Sequence, residues 1–231
     1  MTNKQLTKKR LLFAGIVAYF IIGYFSCSYF NLHRSYYVNV SLPFESKIPL
    51  VPIFILGYTA VYAALILIYA LIDDYEVFKK GMKFACFVST AHFVLFLIIP
   101  VKMARPELSE TDGFMTLLTH YYYLIDNPVN CFPSLHVSYP LIGTLILWNY
   151  KRRWGYILAA STLLIAISVV LVKQHYIMAP YRNFRGFGEA TLYYGCGRSC
   201  HCYFFDIFAK MPCLIAAPSR RSLPTCLKED L

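Results

Sequence analysis

Residues 154–172 read WGYILAASTLLIAISVVLV and contain no charged side chain. A helix needs about 20 mostly apolar residues to cross the roughly 30 Å of hydrocarbon in a bilayer, and this stretch approaches that length. Four more apolar stretches come earlier in the chain, at 11–30, 50–72, 82–101 and 135–150. The sequence therefore predicts an all-α fold, a polytopic bundle with five transmembrane helices.

The composition is that of a membrane protein rather than a soluble one. Of the 231 residues, 58% are hydrophobic and only 15% are charged, whereas a soluble domain carries about 25% charged residues. The formal net charge is +10, but the basic residues fall mostly between the apolar stretches. That placement favours contact with a lipid bilayer and argues against nucleic acid as a partner.

The basic residues also predict how the chain is oriented. Three basic groups, at 4–10, 79–83 and 151–153, fall on one side if the five stretches alternate across the membrane. Basic loops face the cytoplasm in most membrane proteins. We therefore expect an integral, multi-pass protein of the cell membrane, with a cytoplasmic N-terminus and the remaining loops on the extracytoplasmic face.

Three polar clusters occupy those remaining loops. They are PVKMARP at 100–106, DNPVNCFPSLHV at 126–137 and KQHY at 173–176. Helix ends on one face of a bundle converge, so residues that are distant in sequence can line one pocket. We expect the three clusters to meet at the level of the lipid headgroups.

These clusters combine the side chains that bind and transform a phosphate. Arginine offers planar paired donors, lysine adds a point charge, and a serine at a helix start offers a hydroxyl beside backbone N–H groups. Histidine can attack phosphorus or protonate the leaving oxygen, because its pKa lies near neutrality. Each residue alone also has a structural interpretation, as a snorkelling cation or a helix-end side chain. The coincidence of all three clusters on one face favours an anion site.

The order and spacing of the clusters resemble the type 2 phosphatidic acid phosphatase superfamily. Asn130 to Val137, with Arg105-Pro106 before it and KQHY after it, is most similar to the inositol phosphorylceramide synthase branch, whose middle motif reads Pro-Ser-Leu-His. The resemblance covers residues 11–178, and we assign 1–178 as the membrane-embedded domain. It implies a metal-independent enzyme without a cofactor, usually of six transmembrane helices, that cleaves a membrane lipid phosphate through a phosphohistidine.

The resemblance also implies a role for each motif residue. His175 is implied as the catalytic nucleophile and His136 as the general acid for the leaving alcohol. The implied phosphate-binding residues are Arg105, Ser134, Lys102 and Lys173. Lys173 stands in for a family arginine whose position holds Val169. The expected activity is that of a lipid phosphatase or phosphotransferase at the outer membrane face, with water or a lipid alcohol as acceptor.

The chain departs from the family pattern at Ala179, where the resemblance implies an aspartate that orients the nucleophilic imidazole. Its absence predicts weak activity or none, because an unoriented imidazole rotates freely and its tautomer is not fixed. Residues 179–231 are polar and rich in Cys and Arg where the family continues into a sixth helix. We therefore expect an atypical tail, produced by an altered reading frame. The cysteines within 196–202 do not have the spacing of a standard zinc site, and no metal is expected.

Two other classes of function remain open from the sequence. One is a non-catalytic, degenerate member of the family, and the other is a small membrane transporter. Transporters tend to carry ionisable groups near the membrane midplane and to contain repeated halves. In this chain the charged residues fall at the ends of the apolar stretches and no repeat is found, which favours the enzyme.

Overall fold

The computed structural model describes residues 1–108 and 113–185, and within these ranges the chain is helical without strands. Its helices are α1 (Asn3–Leu32), α2 (Ile55–Leu71), α3 (Tyr75–Ile98), α4 (Phe114–Ile125), α5 (Leu135–Tyr150) and α6 (Arg152–Leu171). Short 3-10 turns at Glu45–Lys47 and Pro52–Phe54 precede α2. The predicted all-α fold is confirmed.

The number of spans differs from the prediction. Four helices among the described residues are long and apolar enough to cross a membrane: α1, α2 with the turn before it, α3 and α6. The predicted fourth span forms α5, but α5 has only 16 residues and reaches about 24 Å at 1.5 Å per residue. Five spans were therefore one too many by this measure, although the chain keeps the character of a membrane protein.

Two helical segments were not predicted. Helix α4 has 12 residues and is about 18 Å long, too short to cross hydrocarbon alone. Its sequence, FMTLLTHYYYLI, is rich in aromatic residues of the kind that settle at membrane interfaces. Residues 178–185 are also helical. This short helical segment therefore crosses the predicted domain boundary after residue 178. The tail from residue 186 onward, with its cysteines, lies outside the described residues.

Helix α5 is the centre of the bundle, in contact with α2, α3 and α6, while α1 lies against α3. Buried side chains of these helices form the largest apolar core, which includes Ile68, Phe78, Ile146 and Leu158. Helices α5 and α6 turn sharply at 151, and Gly155 sits directly against the backbone of Trp148. The core therefore fixes α5, whose first turn carries one of the predicted histidines.

One end of the bundle is closed by hydrogen bonds to the ends of helices. The buried ammonium of Lys9 donates to the carbonyls of Tyr69 (2.6 Å) and Ile72 (2.8 Å) at the end of α2. Lys151 forms an ion pair of 2.6 Å with Asp73. The start of α1, the end of α2 and the end of α5 therefore meet at this end, and the predicted site residues lie at the other.

Gly155→Ala should destabilise the fold, because an added Cβ would lie 2.7 Å from the Trp148 Cα atom, and backbone cannot move aside cheaply. Overpacking of this kind costs about 1–3 kcal/mol. Gly15→Ala is the matched control, since nothing lies within 4 Å of its added Cβ and alanine favours a helix. Thermal melts in detergent should show a lower Tm for Gly155→Ala and an unchanged or higher Tm for Gly15→Ala. Equal Tm values would show that the α5–α6 turn relaxes.

Candidate active site

The end of α6 places His175. Lys173 has a φ of 54°, the left-handed conformation that ends many helices. Its N–H donates to the Val170 carbonyl (3.1 Å), and the N–H of Gln174 donates to the Val169 carbonyl (2.9 Å). This paired arrangement is a Schellman motif, in which the last carbonyls of a helix are satisfied as the chain reverses. The reversal turns His175 back toward the bundle, where it is 5% exposed.

The start of α5 places the second histidine. Ser134 is the N-cap residue of this helix, and His136 lies in its first turn. The His136 ring is half-buried, and its centroid is 4.6 Å from that of Tyr58. Since Tyr58 comes from α2, the imidazole is held between two helices of the bundle.

The two imidazoles are in direct contact. His175 Nε2 is 3.4 Å from His136 Nδ1, and the ring centroids are 5.6 Å apart. The structure thus brings together the second and third of the predicted clusters at these two side chains. A phosphorus atom can enter between the two nitrogens only if one imidazole rotates.

The tautomer of His175 follows from its other neighbour. His175 Nδ1 is 2.9 Å from the backbone carbonyl oxygen of Cys131. A carbonyl only accepts, so Nδ1 carries the proton and Nε2 presents its lone pair toward His136. The predicted freedom of the His175 ring is therefore wrong: the ring is buried and hydrogen-bonded although Ala179 supplies no carboxylate.

Arg105 is fixed beside the histidines by a set of acceptors. One terminal nitrogen donates to the carbonyls of Tyr123 (3.3 Å) and Asp126 (2.7 Å). The other donates to the side-chain oxygen of Gln174. The guanidinium also lies over the Tyr123 ring, 4.4 Å from its centroid. Arg105 therefore joins the ends of α4 and α6 in one buried cluster.

Gln174 was not among the predicted site residues, and the structure makes it a member of the site. Its side chain is 2% exposed. Because arginine can only donate, the oxygen of the Gln174 amide must face Arg105, and the NH₂ group must point elsewhere. The only sequence signal was its position beside His175, and that position does not reveal where its amide points.

Unpaired donors mark the same region. In the part of the chain that the structure describes, four buried side-chain nitrogen or oxygen atoms lack a hydrogen-bond partner. Three of them belong to this cluster: Arg105 Nε, Ser134 Oγ and Gln174 Nε2. A buried polar group without a partner costs about 1–3 kcal/mol. All three can donate, so a ligand rich in acceptor oxygens suits them.

The two predicted lysines lie apart from these donors. Lys102 is exposed, and its ammonium lies over the ring of Tyr37 at 5.4 Å from the centroid. The ammonium of Lys173 is 3.4 Å from the carbonyl oxygen of Glu45. Burial lowers the pKa of Lys173, although the nearby Glu45 opposes this shift. The roles of the two lysines in phosphate binding stay predictions.

The carboxylate of Asp126 forms no hydrogen bond to His175 in the described part of the chain. Its two oxygens accept hydrogen bonds from Tyr24 (2.5 Å) and Tyr58 (2.9 Å). Tyr58 in turn contacts the ring of His136. Tyr58 therefore links the carboxylate of Asp126 to the ring of His136.

His175 also lines a cavity of about 510 Å³. The segments 41–50 and 103–106 form most of its wall, together with Lys173 and Tyr176. The buried carboxylate of Glu45 braces this wall, because it accepts the backbone N–H groups of Leu42 and Ile177. His175 therefore borders an open volume that can hold part of a small molecule.

The described residues hold no group of three His, Cys, Asp or Glu side chains arranged for a metal ion. Comparison with known proteins leaves the site to be interpreted from its geometry. No family model, no curated protein and no solved structure matches this chain. The family resemblance therefore rests on the three motifs alone.

The burial of His175 should make stability depend on pH. Burial, and next the neighbouring His136, lower the pKa of His175 from 6.5 to about 3. Between these values the unfolded chain binds a proton that the folded chain does not, so folding weakens as the pH falls from about 6.5 toward 3. In detergent, the Tm of His175→Gln should fall less steeply over this range than that of the unmodified chain. His33→Gln, a change at an exposed histidine, should follow the unmodified chain. Parallel curves for all three proteins would contradict the burial of a neutral His175.

Proposed function

We propose that this chain is a membrane-embedded lipid phosphatase or phosphotransferase that cleaves a lipid phosphate ester through a phosphohistidine at His175. The observation that carries the proposal is the contact between the imidazoles of His175 and His136 beside three buried donors without partners. The family resemblance of the motifs supports the same reaction.

The ligand class follows from the chemistry of the donors. Arg105 Nε, Ser134 Oγ and Gln174 Nε2 lack partners, while the other nitrogens of Arg105 are bound to oxygens. Such a set selects a compact oxyanion, because each donor can point to a separate oxygen. A phosphate monoester or diester offers these oxygens, and the apolar helices would hold the rest of a lipid substrate.

The reaction would proceed in two steps. The Nε2 lone pair of His175 attacks phosphorus, and the bond from phosphorus to the ester oxygen breaks. His136, protonated on both ring nitrogens before this step, gives its Nδ1 proton to the leaving alcohol and becomes neutral. Water or a second alcohol then attacks the phosphohistidine, His136 takes the proton of this nucleophile, and Nε2 is released. The first step requires rotation of one imidazole, since the two rings touch.

We assign the site to the extracytoplasmic face of the cell membrane. In this assignment one end of the bundle carries the basic groups at 4–10, 79–83 and 151–153. Basic groups of this kind favour the cytoplasmic side. At that end of the bundle, Lys9 and Lys151 each bind the segment that follows α2. The histidines are at the opposite end.

Purified protein in liposomes should release phosphate from a lipid phosphate, or transfer the phosphate-bearing group to an added alcohol. His175→Ala should remove this activity, and Arg105→Ala should lower kcat/KM by about 10²-fold or more, because it removes charge stabilisation of the phosphoryl group. The exposed His33→Ala is the matched control and should leave the rate unchanged. Phosphate release and headgroup transfer, measured side by side over a panel of lipid phosphates, separate phosphatase from phosphotransferase.

Two results would contradict the enzyme assignment. Turnover that survives His175→Ala would exclude His175 as the nucleophile. Tight binding of orthovanadate without turnover of any lipid phosphate would favour the non-catalytic family member instead. Orthovanadate is a suitable probe because it resembles a phosphoryl group in transfer, and its binding can be followed by the rise in Tm.

Orientation can be tested separately from activity. Single cysteines placed at Lys47 and at Arg153, in a chain whose native cysteines are replaced, should differ in labelling by an impermeant maleimide applied outside intact cells. We expect label at position 47 and none at position 153 until the membrane is opened, because basic groups stay in the cytoplasm. The reverse pattern would place the histidines on the cytoplasmic face.

A further inference from the structure

The backbone carbonyl of Cys131 is the group that fixes His175, through a hydrogen bond of 2.9 Å to Nδ1. A carbonyl holds the proton on Nδ1 and therefore leaves Nε2 free for attack. In water a neutral imidazole has no such constraint. The placement of one peptide group therefore decides which nitrogen of His175 is reactive.

The residue before Cys131 anchors the backbone that leads to this carbonyl. Asn130 has a φ of 60°, a left-handed conformation that asparagine tolerates better than other residues with a side chain. Its side-chain oxygen accepts from Asn31 Nδ2 (2.7 Å), and its Nδ2 donates to Ser28 Oγ (2.9 Å). Asn130 is 2% exposed, so these bonds are protected from water. The left-handed turn is thereby anchored to α1.

We propose that Asn130 is a positioning residue, which sets the Cys131 carbonyl and through it the tautomer and orientation of His175. Its effect on the reaction rests on the proposed function, whereas its effect on the tautomer does not. Asn130 touches neither histidine directly by any hydrogen bond in the described structure. It acts through the backbone of the next residue, Cys131.

The test is ¹⁵N NMR of protein with labelled histidine in detergent micelles at pH 7.5. The His175 signals are those lost in His175→Gln. In the unmodified chain Nδ1 should have the shift of a protonated nitrogen and Nε2 that of an unprotonated one. Asn130→Gly keeps a residue that accepts a positive φ but removes all hydrogen bonds of the side chain, including a long one of 3.5 Å to the Tyr24 carbonyl. In this variant the His175 signals should move toward the mixture of tautomers found for a free imidazole.

Matched variants separate positioning from general loss of structure. Ser28→Ala removes one of the Asn130 side-chain hydrogen bonds and should give a smaller movement of the same signals, which keeps the test available if Asn130→Gly does not fold. Asn149→Ala changes an exposed asparagine and should leave the signals in place. With a lipid phosphate substrate, Asn130→Gly should lower kcat by about 10²-fold with little change in KM, because misplacement acts on the reacting nitrogen rather than on binding.

The outcomes distinguish this inference from the proposed function. Protonated Nε2 in the unmodified chain, or unchanged His175 signals in both Asn130→Gly and Ser28→Ala, would overturn the positioning role. Absence of turnover by the unmodified chain would contradict the proposed function, while the tautomer measurement would still decide the role of Asn130.

Discussion

The backbone groups at the ends of apolar helices must find partners, and this constraint shapes both ends of the bundle. Inside a helix each N–H and C=O is satisfied, but the last carbonyls and first N–H groups are not, and lipid offers no water to replace the missing bonds. At one end the ammonium of Lys9 binds the carbonyls that end α2. At the other, Asn31 donates to the carbonyl of Phe96 near the end of α3. Polar side chains are therefore concentrated where helices stop.

The candidate site is built from the same devices. Lys173 closes α6 in a left-handed conformation and thereby returns His175 to the bundle. Asn130, also left-handed, joins α1 to the loop before α5, and the next residue, Cys131, presents its carbonyl to His175. A side chain that would be costly in hydrocarbon is accepted here because the surrounding helix ends already require hydrogen-bonding groups. Binding of an anion would give the remaining buried donors the hydrogen-bond partners that they lack.

The sequence was informative about elements and less so about side-chain directions. Apolar length predicted the positions of α5 and of the four helices in the described part of the chain that are long enough to span a membrane, because the hydrophobic effect and the bilayer act on whole segments. It could not show that α4 forms or that the rings of His136 and His175 touch. Motif order could bring two histidines and Arg105 to one end, since helix ends converge. The carbonyl of Cys131 could not be found in this way, because every residue has a carbonyl and only the fold decides which one meets an imidazole.

A carbonyl and a carboxylate affect a neighbouring histidine differently, and the difference changes the rate of phosphohistidine formation. Both hold a proton on Nδ1, but only the carboxylate carries the negative charge that stabilises an imidazolium. When Nε2 of His175 bonds to phosphorus, the ring becomes positive in a buried place that already disfavours charge, as the lowered pKa of His175 indicates. The compensating negative charge must then come from the phosphoryl oxygens themselves. Arg105 competes for those same oxygens. The arrangement therefore fixes the orientation of His175 but stabilises a positive charge on its ring poorly. It favours binding of the anion over fast formation of the phosphohistidine.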